Sequence, residues 1–436
     1  MRRTSLMVIA AAFAAAGMMR AQSASPVLAP LDTIYPDLEK LYIDLHQTPE
    51  LSQHEEKTSE KMAQRLRLLG FQVTTGVGGY GVVGILENGK GPAVMLRTEL
   101  DALPVEEKTG LPYASHVTTK DDSGATVSVM HACGHDIHMT AWVGTATLLA
   151  RTKREWRGTL MLIAQPDEEK VSGARAMLAA GLFTRFRKPN FAVAIHDTAD
   201  LPAGTLGVTA GYALASVDSV DITIFGRGGH GAYPYKTVDP IVIAARTIVA
   251  LQTIVSREND PLDPAVVTVG SIHGGTKHNI IPDEVQLQLT VRSYKEEVRK
   301  RLLAAIERIA RAEAGAAAAP REPVIRVSAG VHSTYNDPAL SGRLETALRR
   351  AFGQSRVVEP PPIMASEDFS EYGRAGVPAV IFTVGAVNPE KLEQAKAAGT
   401  PLPGLHSSAW APDYEPTIKT AVAAETVALL ELLGKP

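Results

Sequence analysis

Short apolar runs recur in the first half of the chain, and each leads into polar residues. The runs end near Glu99, Asp167 and His196, and they span Ala93–Arg97, Thr159–Ala164 and Phe191–Ile195. Continuous apolar strands are typical of parallel sheets covered on both faces by helices, and ligand sites in such sheets lie beyond the carboxyl ends of the strands. The pattern therefore predicts an α/β fold with a mixed, largely parallel central sheet, and it predicts that these polar residues meet at one edge.

Helical periodicity dominates the segment before these strands. Apolar residues at helical spacing predict one helical region over Leu31–Gly70, and two short strands follow around 71–73 and 82–86. A further helix is expected after residue 139, because Thr140–Ala150 is rich in Ala and Leu and lacks helix breakers.

The pattern changes after residue 215. A strand, a glycine-rich turn, a helix, two strands, a charged helix and a last strand follow one another up to residue 327. The order β-α-β-β-α-β is that of a ferredoxin-like unit. We therefore expect an inserted α+β domain over 215–327, which divides the first domain into segments 25–214 and 328–436. In the second segment, a strand at Ala379–Val384 precedes an irregular stretch that contains His406.

Residues 1–24 have the pattern of a signal peptide. Arg2 and Arg3 precede an apolar run over Leu6–Met19, and small residues follow at 21–24. The chain is therefore expected to be exported to the periplasm or secreted, without stable membrane insertion after cleavage. An uncleaved anchor is the alternative, but the run is shorter than the roughly 20 residues that span a bilayer.

Composition narrows the class of protein. The chain has 436 residues, 45% of them hydrophobic and 21% charged, which suits a soluble protein with more than one domain. A net charge of −3 and the lack of a dense Lys/Arg block argue against nucleic acid as a partner. With one cysteine, an intrachain disulfide is excluded.

That cysteine lies in a dense group of potential metal ligands. Met130–His138 contains Cys133 and three histidines, and Cys133 and His135 are two positions apart. Loop backbone can direct two such side chains at one ion, and thiolate with imidazole suits zinc and its neighbours. The alternative is a buried small cysteine among satisfied core histidines.

The candidates at the sheet edge are too numerous for one ion. A catalytic zinc-type ion takes three or four protein groups, so two ions, or one ion and an acid/base, are expected. The adjacent Glu168 and Glu169 point in different directions on extended backbone, so that one could bind metal while the other transfers protons. The full set is Cys133, His135, Glu168, Glu169, His196 and His406, with Glu99 and Asp101 nearby.

Residues 93–413 resemble the aminoacylase and carboxypeptidase G metallohydrolases. More specifically, they resemble the branch of hippurate hydrolases, N-acyl-amino-acid amidohydrolases and plant indole-acetyl-amino-acid hydrolases. The resemblance rests on motifs at 97–104 (RTELDALP), 130–136 (MHACGHD), 165–169 (QPDEE), 228–230 (GGH), 251–257 (LQTIVSR), 279–282 (NIIP), 367–369 (EDF) and 405–407 (LHS).

This resemblance implies a zinc-peptidase-like catalytic domain with a lid, and two divalent ions of Mn, Zn, Ni or Co. It implies Glu168 as general base, with His230 and Asn279 reaching from the lid to the substrate. Arg292 is a weaker candidate for the substrate carboxylate, and a solvated charge is its alternative. The implied metal ligands are Cys133, His135, Glu169, His196 and His406, and the implied supporting residues are Asp101, Asp136, Glu367 and Asp368.

The chain departs from the usual motifs without losing a ligand. Asp167 stands beside the base where relatives usually have Ala, and Asp197 follows His196 where an apolar residue is usual. The other departures are Thr98, Glu99, Thr198, Gly231 and Tyr235. The changes near His196 and Tyr235 leave the substrate's identity open.

The expected function is hydrolysis of the amide bond of N-acyl amino acids, such as N-acetyl or N-benzoyl derivatives, by a metal-activated water. The alternatives are an exported metallo-dipeptidase or carboxypeptidase, and a binding protein for acylated amino acids without turnover. Catalysis is expected to require the 215–327 unit to swing His230 towards the ions. Homodimerisation or higher assembly through that unit is left open.

Overall fold

The computed structural model describes residues 26–328 and 330–435, so the predicted signal peptide lies outside the described residues. Residues up to Leu214 form most of a three-layer α/β domain. In chain order its elements are α1 (Leu31–Gln47), α2 (Glu56–Leu68), β1 (Gln72–Thr74), β2 (Val82–Asn88), β3 (Ala93–Glu99), β4 (Thr118–Lys120), β5 (Thr126–Ser128), α3 (His135–Arg151), β6 (Gly158–Gln165), α4 (Gly173–Ala179), α5 (Leu182–Arg185), β7 (Phe191–Pro202), β8 (Leu206–Gly207) and β9 (Gly211–Leu214).

The next part of the chain builds a second, smaller sheet with two helices. Its elements are β10 (Ser216–Phe225), β11 (Gly229–His230), α6 (Pro240–Thr253), β12 (Ala265–His273), β13 (Ile280–Ile281), β14 (Glu284–Ser293), α7 (Glu296–Ala316) and β15 (Val324–Val327). The remaining elements are β16 (Thr334–Asn336), α8 (Pro338–Phe352), β17 (Val357–Val358), α9 (Ser370–Arg374), β18 (Ala379–Val387), α10 (Pro389–Ala398) and α11 (Tyr414–Leu432).

The central sheet has eight strands in the order β1-β2-β6-β3-β7-β18-β8-β17. Its middle strands β6, β3, β7 and β18 are parallel, whereas β1, β2 and β8 add antiparallel pairs. Buried residues from α1, α3 and α11 pack on one face, and residues from α4 and α9 pack on the other. The predicted mixed, largely parallel sheet with helices on both faces is confirmed.

Parallel alignment places the ends of distant strands side by side. The carboxyl ends of β3 and β6 lie at the same edge, where Glu99 pairs with Gln165. Strand β7 runs on through His196, which pairs with Thr383 of β18. The apolar run that ends at Ile195 is therefore only the first half of a longer strand.

The inserted unit has four antiparallel strands in the order β12-β14-β10-β15. Helices α6 and α7 cover this sheet and share a separate apolar core with it. This is the predicted ferredoxin-like arrangement, and we call the unit the lid. The boundaries at 215 and 327 stay a prediction, although β10 begins at Ser216 and β15 ends at Val327.

One helical stretch of the lid has the length and composition of a membrane span. Among the described residues, only Pro240–Glu258 has this length and composition. A third of its most apolar 18 residues are buried. Ile243 and Leu251 on its inner side are fully packed in the lid core. Its other side leaves Ile241, Val242 and Val249 exposed.

The prediction of one helical region over Leu31–Gly70 is wrong. Helices α1 and α2 are separated by an irregular segment, 48–55. Pro49 disfavours helical backbone at the preceding Thr48, which ends α1. Side chains of this segment instead reach the edge of the central sheet, where Ser52 donates a hydrogen bond to Asp101 over 2.7 Å.

Candidate metal centre

Four separate stretches of backbone bring the five predicted ligands to one edge of the central sheet. Cys133 lies in the turn before α3, and His135 is the first residue of that helix. Glu169 lies in the turn after β6, His196 lies within β7, and His406 lies in a turn before α11. The structure thus brings together all five residues that the resemblance implies as ligands.

Cys133 lies at the centre of this cluster. Its Sγ is 3.5 Å from His196 Nε2 and 3.2 Å from His406 Nε2. His406 Nε2 is also 3.6 Å from Glu169 Oε1. The ligand atoms fall into two groups, one of Cys133, His135 and His196 and one of Cys133, Glu169 and His406, and within each group they lie within 4.8 Å of one another. These residues could hold two divalent ions.

The donor atoms are prepared to bind cations. Within the described residues, His135 Nε2 and Glu169 Oε1 are buried without a hydrogen bond, which is costly unless a ligand satisfies them. The Nδ1 atoms of two candidate ligands make hydrogen bonds to backbone. His135 Nδ1 donates to the Asp101 carbonyl and His196 Nδ1 to the Asp197 carbonyl, each over 2.8 Å. Such bonds fix the ring orientation and leave Nε2 for a metal.

The charge balance of the cluster also favours cations. Burial, with the carboxylates of Glu169 and Glu168, raises the pKa of the Cys133 thiol well above its ordinary value. Burial opposes protonation of His135, but hydrogen bonding to Asp101 and the charge of Glu99 raise its pKa to about 10. Because thiolate and neutral imidazole are the forms that bind metal, divalent cations here would reverse both shifts.

Glu168 lies beside these ligands, and it forms a third group with His135 and Glu169 whose ligand atoms also lie within 4.8 Å of one another. Its Oε2 is 3.9 Å from His135 Nε2, the same distance as Glu169 Oε1. The two glutamates therefore converge, contrary to the expectation for extended backbone. The reason is a turn over 168–171, which the hydrogen bond from Val171 N to Glu168 O closes over 2.6 Å. Burial and the nearby Glu367 raise the pKa of Glu168 well above its usual range.

A buried ion network that the sequence did not predict lies beneath Glu168. The fully buried Arg97 donates to Glu367 Oε1 over 2.7 Å and to Asp368 Oδ1 over 3.0 Å, and it also pairs with Glu99. Its positive charge opposes the rise in the pKa of Glu168. The sequence did contain a signal for this network, because Arg97 is the first residue of the RTELDALP motif and Glu367 and Asp368 begin the EDF motif.

Polar residues in and around the MHACGHD motif are buried behind the ligands. His138 lies between two acids, with Nδ1 3.0 Å from Glu99 Oε2 and Nε2 3.2 Å from Asp197 Oδ1. Asp136 Oδ2 is 2.7 Å from His46 Nδ1, and Asp136 Oδ1 accepts a hydrogen bond from Ile137 N at the start of α3. Asp101 Oδ2 accepts one from Glu169 N over 2.9 Å.

The three candidate substrate-binding residues lie on the lid. His230 and Asn279 lie together on the exposed β11–β13 ribbon, where Gly231 N donates to Asn279 O over 2.9 Å. Arg292 Nη1 donates to the Met364 carbonyl over 2.7 Å, which links the lid to the central domain. The substrate-binding roles of His230, Asn279 and Arg292 stay predictions.

Comparison with known proteins places the chain in a family. Residues 95–398 match the model of Peptidase family M20/M25/M40. The chain is 37% identical to an N-acetyl-L-cysteine deacetylase of Bacillus subtilis over 78% of this chain and 79% of the relative. It is 36% identical to thermostable carboxypeptidase 1 of Saccharolobus solfataricus over 80% and 85%.

A solved structure has the same architecture. The Bacillus subtilis YXEP protein, a dinuclear metal binding peptidase from the M20 family, superposes with a TM-score of 0.73 at 29% identity and covers 92% of this chain and 100% of its own. The family match and these relatives agree with the ligand cluster and with the inserted lid. The chain therefore belongs to Peptidase family M20/M25/M40.

Proposed function

We propose that the protein is a metal-dependent amidohydrolase that cleaves the amide bond of N-acyl amino acids. The observation that carries the proposal is a buried carboxylate, Glu168, held beside two groups of ligand atoms that share Cys133. A relative that deacetylates N-acetyl-L-cysteine supports the substrate class.

The residues of this chain divide the chemistry among them. Bound divalent ions supply an activated water and polarise the scissile carbonyl, and Cys133, His135, Glu169, His196 and His406 would hold them. Glu168 accepts a proton from the attacking water and passes it to the departing amine nitrogen. Ala232 N donates to His230 Nδ1 over 3.0 Å, so the neutral ring carries its proton on Nε2 and can donate to the oxyanion.

Replacement of the base tests this assignment. We expect Glu168→Gln to lower kcat on N-acetyl amino acids by about 10²–10⁴-fold, because proton transfer is lost, while the metal content stays unchanged. Glu169→Gln is the matched control and should lose metal as well as activity. Full turnover by Glu168→Gln with bound metal would refute Glu168 as the base.

Removal of the metal gives a second test. We expect chelation to abolish hydrolysis and to lower the unfolding temperature, since the buried carboxylates and thiol then lose their countercharge. Titration with Mn²⁺, Zn²⁺, Ni²⁺ or Co²⁺ should restore both properties at two ions per chain. Restoration by one ion, or turnover that survives chelation, would contradict a two-ion centre.

A carboxypeptidase is the second candidate, because a thermostable carboxypeptidase is among the relatives. A panel of N-acetyl amino acids, N-benzoyl amino acids and unblocked dipeptides separates the two activities. We expect higher kcat/KM for the N-acylated compounds. Preference for dipeptides with a free amine would favour the peptidase.

We also infer export from Arg2, Arg3 and the apolar run over Leu6–Met19. N-terminal sequencing of protein from the native cells should find a mature chain that starts between residues 22 and 25. Recovery of a chain that begins at Met1 in the cytoplasm would contradict export.

A further inference from the structure

The residue that precedes the base has an unusual backbone conformation. Asp167 has φ of 58°, and only 6% of its surface is exposed. Left-handed backbone is unfavourable for residues other than glycine, by roughly 1–2 kcal/mol, and aspartate tolerates it better than most. A non-glycine residue is kept in this conformation only when its surroundings hold it there.

Two segments of the chain hold Asp167. Its Oδ2 accepts hydrogen bonds from Gln53 Nε2, over 3.0 Å, and from the hydroxyl of Ser172. Its backbone N–H donates to Glu55 Oε1 over 2.8 Å. Its carbonyl accepts from the backbone N–H of Ser172 and of Gly173, over 3.2 and 3.1 Å. Main chain and side chain are thus both fixed, and the contacts to Gln53 and Glu55 cross more than a hundred residues of sequence.

These contacts determine where the next residue can lie. Glu168 begins the turn over 168–171, and the left-handed Asp167 sets the direction in which the chain enters that turn after β6. A different backbone angle at Asp167 would displace the Glu168 carboxylate. The ligand Glu169 is held separately, since its N–H donates to Asp101 Oδ2 over 2.9 Å, and the other ligands lie on other elements. Misplacement of a catalytic group by about 1 Å can lower a rate by about 10²-fold.

We propose that Asp167 is a positioning residue for Glu168, and that Gln53 acts through it. This inference rests on the proposed function. The segment between α1 and α2 then contributes to catalysis, because the Gln53 amide holds Asp167, which in turn positions Glu168.

The test compares three single variants with wild type. Asp167→Ala removes the acceptor and disfavours left-handed backbone, so we expect kcat to fall by about 10–100-fold with KM and metal content unchanged. Asp167→Asn keeps one oxygen for both donors and tolerates left-handed backbone, so most of kcat should return. Gln53→Asn suits the left-handed φ of 69° at Gln53 but is too short to reach Asp167, and should lower kcat several-fold.

A double variant shows whether the two residues act together. Asp167→Ala with Gln53→Asn should have the kcat of Asp167→Ala alone, because the contact is already lost. His54→Ala, an exposed neighbour of Gln53, should retain wild-type kcat. If Asp167→Ala fails to fold, Gln53→Asn and Asp167→Asn still carry the test.

Three results would overturn the inference. They are wild-type kcat in both Asp167→Ala and Gln53→Asn, an equal loss in Asp167→Asn and Asp167→Ala, and a loss of kcat that is matched by loss of metal. Failure of the proposed function is distinguishable, because it would appear as full activity of Glu168→Gln, whereas failure here leaves Glu168→Gln inactive.

Discussion

At the scale of single residues, the protein buries many ionisable groups, and each depends on its immediate partners. Arg97 is matched by three carboxylates, and His138 is matched by Glu99 and Asp197. The buried groups of the ligand cluster are instead arranged to bind divalent cations. Buried groups of this kind link folding to pH wherever a pKa differs between the folded and unfolded chain.

Glu425 offers the clearest case away from the metal centre. It lies fully buried between α11 and α3, where Thr145 donates a 2.6 Å hydrogen bond to its Oε2, and burial raises its pKa to about 8. The folded chain holds this proton more tightly than the unfolded one, so the stabilisation is full below about pH 4.5 and is lost as the pH rises to about 8.

We therefore expect Glu425→Gln to be more stable than wild type at pH 8.5, by an amount on the order of a few kcal/mol, and to lose this advantage near pH 4. Urea unfolding at a series of pH values measures the difference. Glu415→Gln, at an exposed position of the same helix, should keep the wild-type pH dependence. The prediction would be contradicted if the unfolding free energy of wild type and of Glu425→Gln changed equally with pH.

At the scale of elements, the start of α3 links packing to metal binding. Gly134 has φ of 75° immediately before His135, and a Cβ at this position would overlap the carboxylate of Asp197. Glycine thus permits both the backbone angle and the close approach of β7 to α3. The ligand His135 and the supporting residue His138 both depend on that approach.

Gly134→Ala and Gly110→Ala separate strain from packing. Gly110 has a similar φ of 72°, but nothing lies within 4 Å of its added Cβ. We expect Gly110→Ala to cost about 1–2 kcal/mol of unfolding free energy. Gly134→Ala should cost about 1–3 kcal/mol more because of the overlap, and should bind less metal. Chemical denaturation with metal analysis measures both effects, and equal results for the two variants would count against the packing argument.

At the scale of the whole molecule, the proposed catalytic residues are divided between the lid and the central domain. His230 lies on the lid, whereas the ligands lie at the edge of the central sheet. His332 spans the junction, with Nδ1 3.2 Å from Glu371 Oε1 of the central domain and Nε2 3.7 Å from Glu296 Oε2 of the lid. If His230 acts on the substrate, the lid must swing towards the central sheet.

We expect substrate to close the lid. In solution scattering, metal-loaded Glu168→Gln saturated with an N-acetyl amino acid should have a smaller radius of gyration than without it, because closure excludes water and brings His230 over the substrate. The same protein after chelation is the control and should not respond. Identical scattering curves with and without substrate in the metal-loaded protein would contradict closure.

Much of this site was predictable because its signals are local. The MHACGHD and QPDEE motifs, His196 and His406 supplied the candidate residues by type and position, and the family resemblance implied which of them bind metal and which is the base. The irregular segment 48–55 was not predicted, because apolar residues at helical spacing on both sides of it favoured one helix despite Pro49. Gln53 and Glu55 reach Asp167 through contacts more than a hundred residues apart in sequence. Arg97 was missed as a site residue because two of its three partners, Glu367 and Asp368, lie in a loop more than 250 residues further along the chain.

The sequence by itself determined the class of fold, the family and the types of ligand, since apolar runs, turn residues and motif spacing act over short stretches of chain. The folded structure was needed to show how the ligand atoms group around Cys133 and how Glu168 and Glu169 converge in one turn. Those features depend on the parallel register of β3, β6, β7 and β18 and on side chains from distant segments, and no local pattern encodes them.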